Sequence, residues 1–322
     1  MEPSPTVTNQ TPVPPVRPPV HGNTLRRTIV LVVLAAVLIL LIGLGIVFRN
    51  EIMSAYALRD VRVSEAQYRD ITVQGFSLFG LRTEKIISGV TGDYTSVRGV
   101  RAAIVSNNDG TQDTVLLSDN NRTLTTDGLR KAALALSPDG TKLAYAALTE
   151  LREGEQAVPF TGRWTVRIVD LATGESMDLG LGFAPEFFSR DGADYLLYTT
   201  PTQLTIFDIA KKSASGTDFF TPSSVDYTAR ISEDGTYLTI RSAVTGKFDV
   251  FTVDSIEGRL ALSPVGTVDT QLTDTQWVGD TLYGLTEPAD GTVSVIAVDP
   301  KDTAFERVAG TFNGTNYYRF IR

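Results

Sequence analysis

Hydrophobic and polar positions follow two different regimes along this chain. Ile29 to Phe48 is an unbroken run of uncharged, almost wholly apolar residues, twenty in all. At 1.5 Å per residue a helix of that length spans about 30 Å, the hydrocarbon thickness of a bilayer. Beyond residue 60 the pattern changes to short apolar or alternating runs separated by turn residues. Examples are Ala102-Ala103-Ile104-Val105, Leu143-Ala144-Tyr145, Tyr195-Leu196-Leu197-Tyr198 and Val293-Ser294-Val295-Ile296-Ala297-Val298. These are signatures of half-buried or fully buried strands, with no long helical period between them. The pattern predicts a transmembrane helix over 28–48, a linker over 49–60 and an all-β domain over 61–322. A cleaved signal peptide is disfavoured, because its apolar core is usually about 7–15 residues long. The small-x-small site Ala55-Tyr56-Ala57 also lies well beyond the apolar run.

Self-comparison of the β region exposes a repeat. Leu136-Ser137-Pro138-Asp139-Gly140, Phe188-Ser189-Arg190-Asp191-Gly192 and Ile231-Ser232-Glu233-Asp234-Gly235 share one form, and Trp277-Val278-Gly279-Asp280 is a degenerate fourth copy. Their leading residues are 52, 43 and 46 apart. Asp-Gly between strands is a strong hairpin signal, because glycine tolerates the positive φ of a tight turn. A second element interleaves with the first: strands that end on Asp119, Asp170, Asp208, Asp254 and Asp299, spaced by 51, 38, 46 and 45. Each aspartate is expected to hydrogen-bond the backbone of its own turn. Together the elements define a unit of about 45 residues and four strands, which cannot bury both faces alone. Stacking such units around an axis does so, and that is the logic of a β-propeller.

The stretch Ser137-Pro138-Asp139-Gly140-Thr141-Lys142-Leu143-Ala144-Tyr145 resembles the WD40-like (PD40) repeat of TolB-type propellers, which reads roughly W-S-P-D-G-x-x-I-A-F. The resemblance extends over most of residues 90–310, although only one copy matches well. Five units are visible, with second strands near residues 101, 142, 195, 237 and 281. If the final stretch Tyr317-Tyr318-Arg319-Phe320-Ile321 joins the early strand-like residues Ile71-Thr72-Val73, a sixth blade closes the ring. Six blades are expected, as the resemblance implies, with five as the alternative. The family likeness also implies a module that binds an envelope protein, peptide or glycan through rim loops or an axial funnel.

Charge adds orientation and excludes one partner class. The formal net charge is −8, but residues 1–48 carry Glu2 against Arg17, Arg26 and Arg27, a balance of +2 that leaves −10 on the remainder. An acidic main domain argues against a nucleic-acid partner, whose phosphates require cations. Positive charges flank the apolar run on both sides, so the loop charges do not orient it. A large domain after a lone helix can translocate regardless, which puts the N-terminus in the cytoplasm and the propeller outside the membrane. Residues 2–20 contain seven of the fifteen prolines. Residues 1–27 therefore read as an extended, disordered tail.

Catalytic chemistry is sparsely provided. There is no cysteine, and the single histidine, His21, lies in the tail. The β region can hold no Ser-His-Asp triad, histidine base or thiolate metal site. Carboxylate chemistry survives, but the assigned aspartates sit in repeated turns, and the order Asp-Gly departs from the S-x-D-x-G-x-T box of sialidases. Asn107-Asn108-Asp109-Gly110-Thr111-Gln112-Asp113 offers oxygen ligands without EF-hand spacing and reads as a hairpin turn. Trp164 and Trp277 read as core. No catalytic residue, metal site or cofactor is expected. The longest interruption, Thr149 to Arg163, with Glu150, Glu153, Glu155 and Phe160, is the candidate binding loop. The expectation is a non-catalytic, membrane-anchored interaction module. The alternatives are a carboxylate enzyme acting on glycans and a transmembrane sensor working through the proline-rich tail.

Overall fold

The computed structural model describes residues 22–67, 70–78, 80–88, 90, 93–107, 111–151, 162–216, 229–242, 245–256, 260–314 and 318–321. The chain divides into two units, Met1–Asn50 and Glu51–Arg322. In the first, α1 covers Gly22–Val47. Its described apolar side chains are exposed all round, Leu31 to 66% and Ile39 to 70%. Among the described residues no helix is long and apolar enough to cross a membrane. The helical residues overlap the stretch expected over 28–48, but a membrane-crossing helix there is not shown. α1 begins at Gly22, inside the stretch expected to be tail. The expected linker is largely helical too, as α2 (Arg49–Ala57). Its Glu51, Met53, Ala55 and Ala57 are good helix formers, and neither glycine nor proline interrupts them.

The second unit is an all-β propeller of six four-stranded blades. Blade 1 contains Arg62–Gln67, Asp70–Ser77 and Gly80–Ser88, and its remaining strand is Arg319–Phe320 from the other end of the chain. Blade 2 spans residues 94–123, blade 3 130–181, blade 4 183–216, blade 5 229–267 and blade 6 272–313, each in simple up-and-down antiparallel order. The expected second strands start within two residues of the observed ones. The closing pairs are Val63↔Phe320 and Ser64↔Arg319, so the ring is shut by hydrogen bonds between the two ends of the unit. Ile321 N–H donates to Arg62 O as well.

The core is divided among six blade-to-blade interfaces. Phe188, Tyr195 and Leu197 of blade 4 pack on Ile231, Leu238 and Phe251 of blade 5. Phe187, Leu196 and Tyr198 of the same two strands pack the other way, on Ala144, Val166 and Ile168 of blade 3. Successive residues of a strand face opposite sides of its sheet, and here both sides are buried. That is why Tyr195-Leu196-Leu197-Tyr198 is apolar throughout instead of alternating. Equivalent clusters join blades 2 and 3, 5 and 6, 1 and 2, and 6 and 1. In the last, Phe76, Phe312, Tyr318 and Phe320 meet Leu58 and Val61 from the segment before the first strand.

The repeated turns come in two kinds. In blades 3 and 5 the serine and aspartate side chains close a four-residue loop. Ser137 Oγ donates to Asp139 (2.5 Å) and accepts Lys142 N–H (2.9 Å), while Thr141 N–H donates to Asp139 (3.0 Å). Ser232, Asp234, Thr236 and Tyr237 repeat that network. Asp191-Gly192 is instead a two-residue hairpin, with Arg190 paired to Ala193 and both turn residues at positive φ, the type I′ pattern. Asp170, Asp208 and Asp299 accept backbone N–H groups of their own turns as expected. Among the described residues, Asp119 and Asp254 take side-chain donors instead. Asp119 pairs with the Arg122 guanidinium, and Asp254 accepts the Thr252 and Ser263 hydroxyls. In both, a nearby side-chain donor satisfies the carboxylate where an aspartate alone cannot show which donor it will take.

Candidate functional site at the propeller axis

From blade 2 through blades 3, 4, 5 and 6 to the closing strand of blade 1, each first strand touches the next, and together they ring the axis. In blades 1, 2, 4, 5 and 6 a charged side chain stands on that strand or just before it. Glu186 lies on Phe183–Arg190 of blade 4, Arg230 on Ala229–Ile231 of blade 5, Asp274 on Leu272–Val278 of blade 6 and Arg319 on the closing strand of blade 1. Asp93 immediately precedes Tyr94–Val97, the first strand of blade 2. These five form a row of alternating sign. Asp93 lies 3.9 Å from Arg319, Arg230 lies 3.5 Å from Asp274, and Arg230 lies 4.0 Å from Glu186. Phe320 N–H donates to Asp274 at 2.9 Å, tying the ring closure to the row. Ala133 N–H of blade 3 donates to Asp93.

β-Bulges aim these groups. The register slips between Phe183 and Glu186 and between Leu272 and Asp274, so an extra residue turns each carboxylate inward. A third bulge, between Ala132 and Ala135, presents the Ala133 N–H. Ala133 and Ala184 take φ of 56° and 51° there, an uncommon conformation for alanine and a store of backbone strain.

Electrostatics in the row follow from burial. Arg230 is nearly inaccessible, with 4% of its side chain exposed, whereas 17% of the Glu186 side chain is exposed. Burial pushes the Glu186 carboxyl from its ordinary 4.5 up to about 7, against the pull of Arg230 and of the Ile231 N–H and with a further push from Asp274. Asp274 is raised also, chiefly by burial, with Arg230 opposing. Glu186 Oε2 and Arg230 Nε are buried without a hydrogen-bond partner. Lys131 on the first strand of blade 3 is not part of the row. Its buried Nζ donates to Asp127 and to the carbonyls of Gln112 and Leu129.

The residues singled out from sequence fall elsewhere. Asp139, Gly140, Asp191, Gly192, Asp234 and Gly235 stay in the hairpin turns. Asp139 and Asp234 hold their carboxyls below the usual range. Burial alone would raise them, but hydrogen bonds from Ser137 and Thr141, and from Thr236 and Ser232, outweigh it. Asp170 and Asp208 are also lowered, first by the backbone N–H groups of Thr173 and Lys211. Glu150 of the candidate loop is exposed and 3.4 Å from Arg163. Glu153, Glu155 and Phe160 lie outside the described residues, as do His21 and Asn108 to Gly110. Asn107 donates to Thr111 and Asp113, bracing the strand pair around that turn. Trp164 and Trp277 are buried. Trp277 stacks on Tyr237 with ring centroids 5.6 Å apart, and its indole N–H donates to Arg230 O. Among the described residues no group of three histidine, aspartate or glutamate side chains could hold a metal ion.

Spacing along the sequence does not reveal the axial row, for a structural reason. Arg230, Glu186 and Asp274 stand one, two and three residues before the repeated apolar positions Ile231, Phe188 and Trp277. The bulges spoil the register that a repeat search relies on. The legible signal is a charge inside a strand that should be apolar on both faces, as in Ala229-Arg230-Ile231.

This fold and its ringed axis define the class: a six-bladed β-propeller. No protein-family model matches the chain, and no curated protein matches its sequence. Solved structures share its fold. TolB from Acinetobacter baumannii is 12% identical with a TM-score of 0.50, over 82% of this chain and 67% of that one. A protein of unknown function from Desulfotomaculum acetoxidans is 14% identical with a TM-score of 0.51, over 79% and 80%. A protein from Bacteroides uniformis, provisionally named 6-phosphogluconolactonase, is 14% identical with a TM-score of 0.50, over 80% and 82%.

Proposed function

We propose that this chain is a non-catalytic propeller, anchored by its apolar N-terminal segment in a cell membrane, that serves outside the cytoplasm as an interaction module. Its partner is an envelope protein, peptide or glycan. The observation that carries the reading is the axial row itself. A carboxylate enzyme needs acids that converge on a substrate, whereas Glu186 and Asp274 share Arg230 and Asp93 faces Arg319. The rim offers contact surface instead. On Asp302–Asn313, the outermost strand of blade 6, Phe305 and Val308 are 60% and 59% exposed, and Phe305 lines a depression of about 270 Å³. The likeness to TolB favours the same reading. The anchor rests on the twenty uncharged residues 29–48 and on a helix that is apolar all round, which suits lipid better than water.

Two measurements on the full chain test this. Alkaline extraction should leave the chain with the membranes, and Leu38→Arg combined with Ile39→Arg should release it; release of the unaltered chain overturns the anchor. Detergent-solubilised chain should capture a membrane-extract component that Phe305→Asp with Val308→Asp no longer retains. Identical capture by both forms removes the rim from the reading.

A second reading, a glycan-active hydrolase, is favoured by one observation: Glu186 is poised near neutral pH beside Asp274, as a general acid would be. Turnover of a panel of chromogenic glycosides that is lost in Asp274→Asn would establish it in place of the first.

A further inference from the structure

The axial row alternates in sign around five of the six blades and then breaks. Starting at blade 2 and running through blades 1, 6, 5 and 4, it reads Asp93, Arg319, Asp274, Arg230, Glu186. Blade 3 lies between the two ends, with carboxylates on either side, and alternation calls for a cation there. Its own strand supplies none. The bulge presents small side chains at Ala132, Ala133 and Ala135, and the Lys131 ammonium is committed to Asp127 and two carbonyls. Arg130 lies at the exposed start of the strand, three residues away.

We infer that the axis is a binding site for one small organic cation, an ammonium or guanidinium group, held on the blade 3 arc between Glu186 and Asp93. With Glu186 ionised, three carboxylates face two guanidinium groups, and a bound cation neutralises the excess negative charge. Glu186 Oε2, at the open end of the row, has no hydrogen-bond donor, its nearest cationic nitrogen being Arg230 Nη1 at 4.0 Å. Such groups are ordinarily satisfied in native interiors. A metal ion is the poorer occupant, because the described residues bring no three ligating side chains together. Nitrogen donors suit an unpaired carboxylate oxygen, and a charge-assisted hydrogen bond there is among the stronger kinds.

The same geometry makes the proton a competitor. With no cation bound, Glu186 takes up a proton near neutrality, since burial and Asp274 outweigh Arg230 and the Ile231 N–H. Cation binding below that pH therefore releases the Glu186 proton to solvent. This site lies at the axis and is independent of the rim surface and of the anchor.

Calorimetric titration of the full chain in detergent with methylguanidinium and with methylammonium, at pH 6, 7 and 8, tests the site. Saturable binding of at least one probe is expected at pH 8, the difference between probes showing which head group fits. Affinity should fall about tenfold per pH unit below 7, with proton release seen as a buffer-dependent heat. Glu186→Gln should weaken binding about tenfold or more, and Asp93→Asn should weaken it severalfold. The inference is overturned by no saturable binding of either probe at pH 8, by affinity constant from pH 6 to 8, or by unchanged affinity in the folded Glu186→Gln protein. Should that variant not fold, unchanged affinity in Asp93→Asn is equally decisive.

Discussion

Glu186 shows how one residue can set the pH response of a propeller. Its folded carboxyl titrates at about 7 instead of 4.5, so between those values the folded chain holds a proton that the unfolded chain has lost. Stability then falls as pH rises through this window, and the penalty is complete above about 7. The turn aspartates work oppositely. Asp139 and Asp234, held below their ordinary 3.8, contribute stability that is present above that value and lost as pH falls through their folded values. The two effects occupy separate windows and can be separated. Urea denaturation between pH 4.5 and 7.5 should show declining stability in the natural chain and a flatter profile in Glu186→Gln. An equal slope in both assigns the decline to another group.

Turns decide which glycines matter at the level of the element. Gly235 has φ of +68°, and an added Cβ would lie 2.7 Å from the Phe188 ring of blade 4. Gly140 is similar, 3.1 Å from Val100 of blade 2 at φ of +74°. Those two turns dock on the preceding blade, and Ser189 N–H of blade 4 donates to Glu233 O within the blade 5 turn. Gly192 has φ of +79° but meets nothing within 4 Å. Gly192→Ala should therefore lose only the conformational term, about 1–2 kcal/mol. Gly235→Ala should lose that plus an overpacking term, roughly 2–5 kcal/mol together. Equal losses in thermal or urea unfolding would show that the Phe188 contact does not constrain the turn. The repeat was legible in the sequence because Ser-x-Asp-Gly encodes local hydrogen bonds. Its two geometries lie outside that motif, in the residue that follows it: the Thr141 and Thr236 hydroxyls bond Asp139 and Asp234, whereas Ala193 offers none. Bulges obscured the axial row, since a one-residue slip leaves no mark on composition.

Ring closure belongs to the whole molecule, and it is the step local pattern conveys least. Blade count stayed open between five and six because the strand that decides it is only Arg319–Phe320, two residues whose partners lie some 255 positions away in sequence. That short strand nonetheless does three jobs. It completes the blade 1 sheet, places Phe320 and Ile321 in the interfaces with blades 6 and 2, and links blade 6 through Phe320 N–H to Asp274 and Gln276 to Ile321 O. Removing residues 318–322 would expose the inner edge of Arg62–Gln67 and open two interfaces together. It would also take the Phe320 N–H from Asp274, already raised by burial, leaving the Thr275 N–H as its backbone donor. Phe320→Ala keeps the strand and creates a cavity, for which a loss of about 3–5 kcal/mol is expected. Truncation should do more, replacing one cooperative unfolding transition with early, protease-sensitive opening of blades 1 and 6, because each blade then has only one neighbour against which to bury its faces. Limited proteolysis with identification of the first cuts distinguishes the cases. First cuts within residues 62–88 and 272–313 support closure as the keystone, whereas a truncated chain that unfolds at the natural midpoint would show that the blade interfaces hold the ring without it.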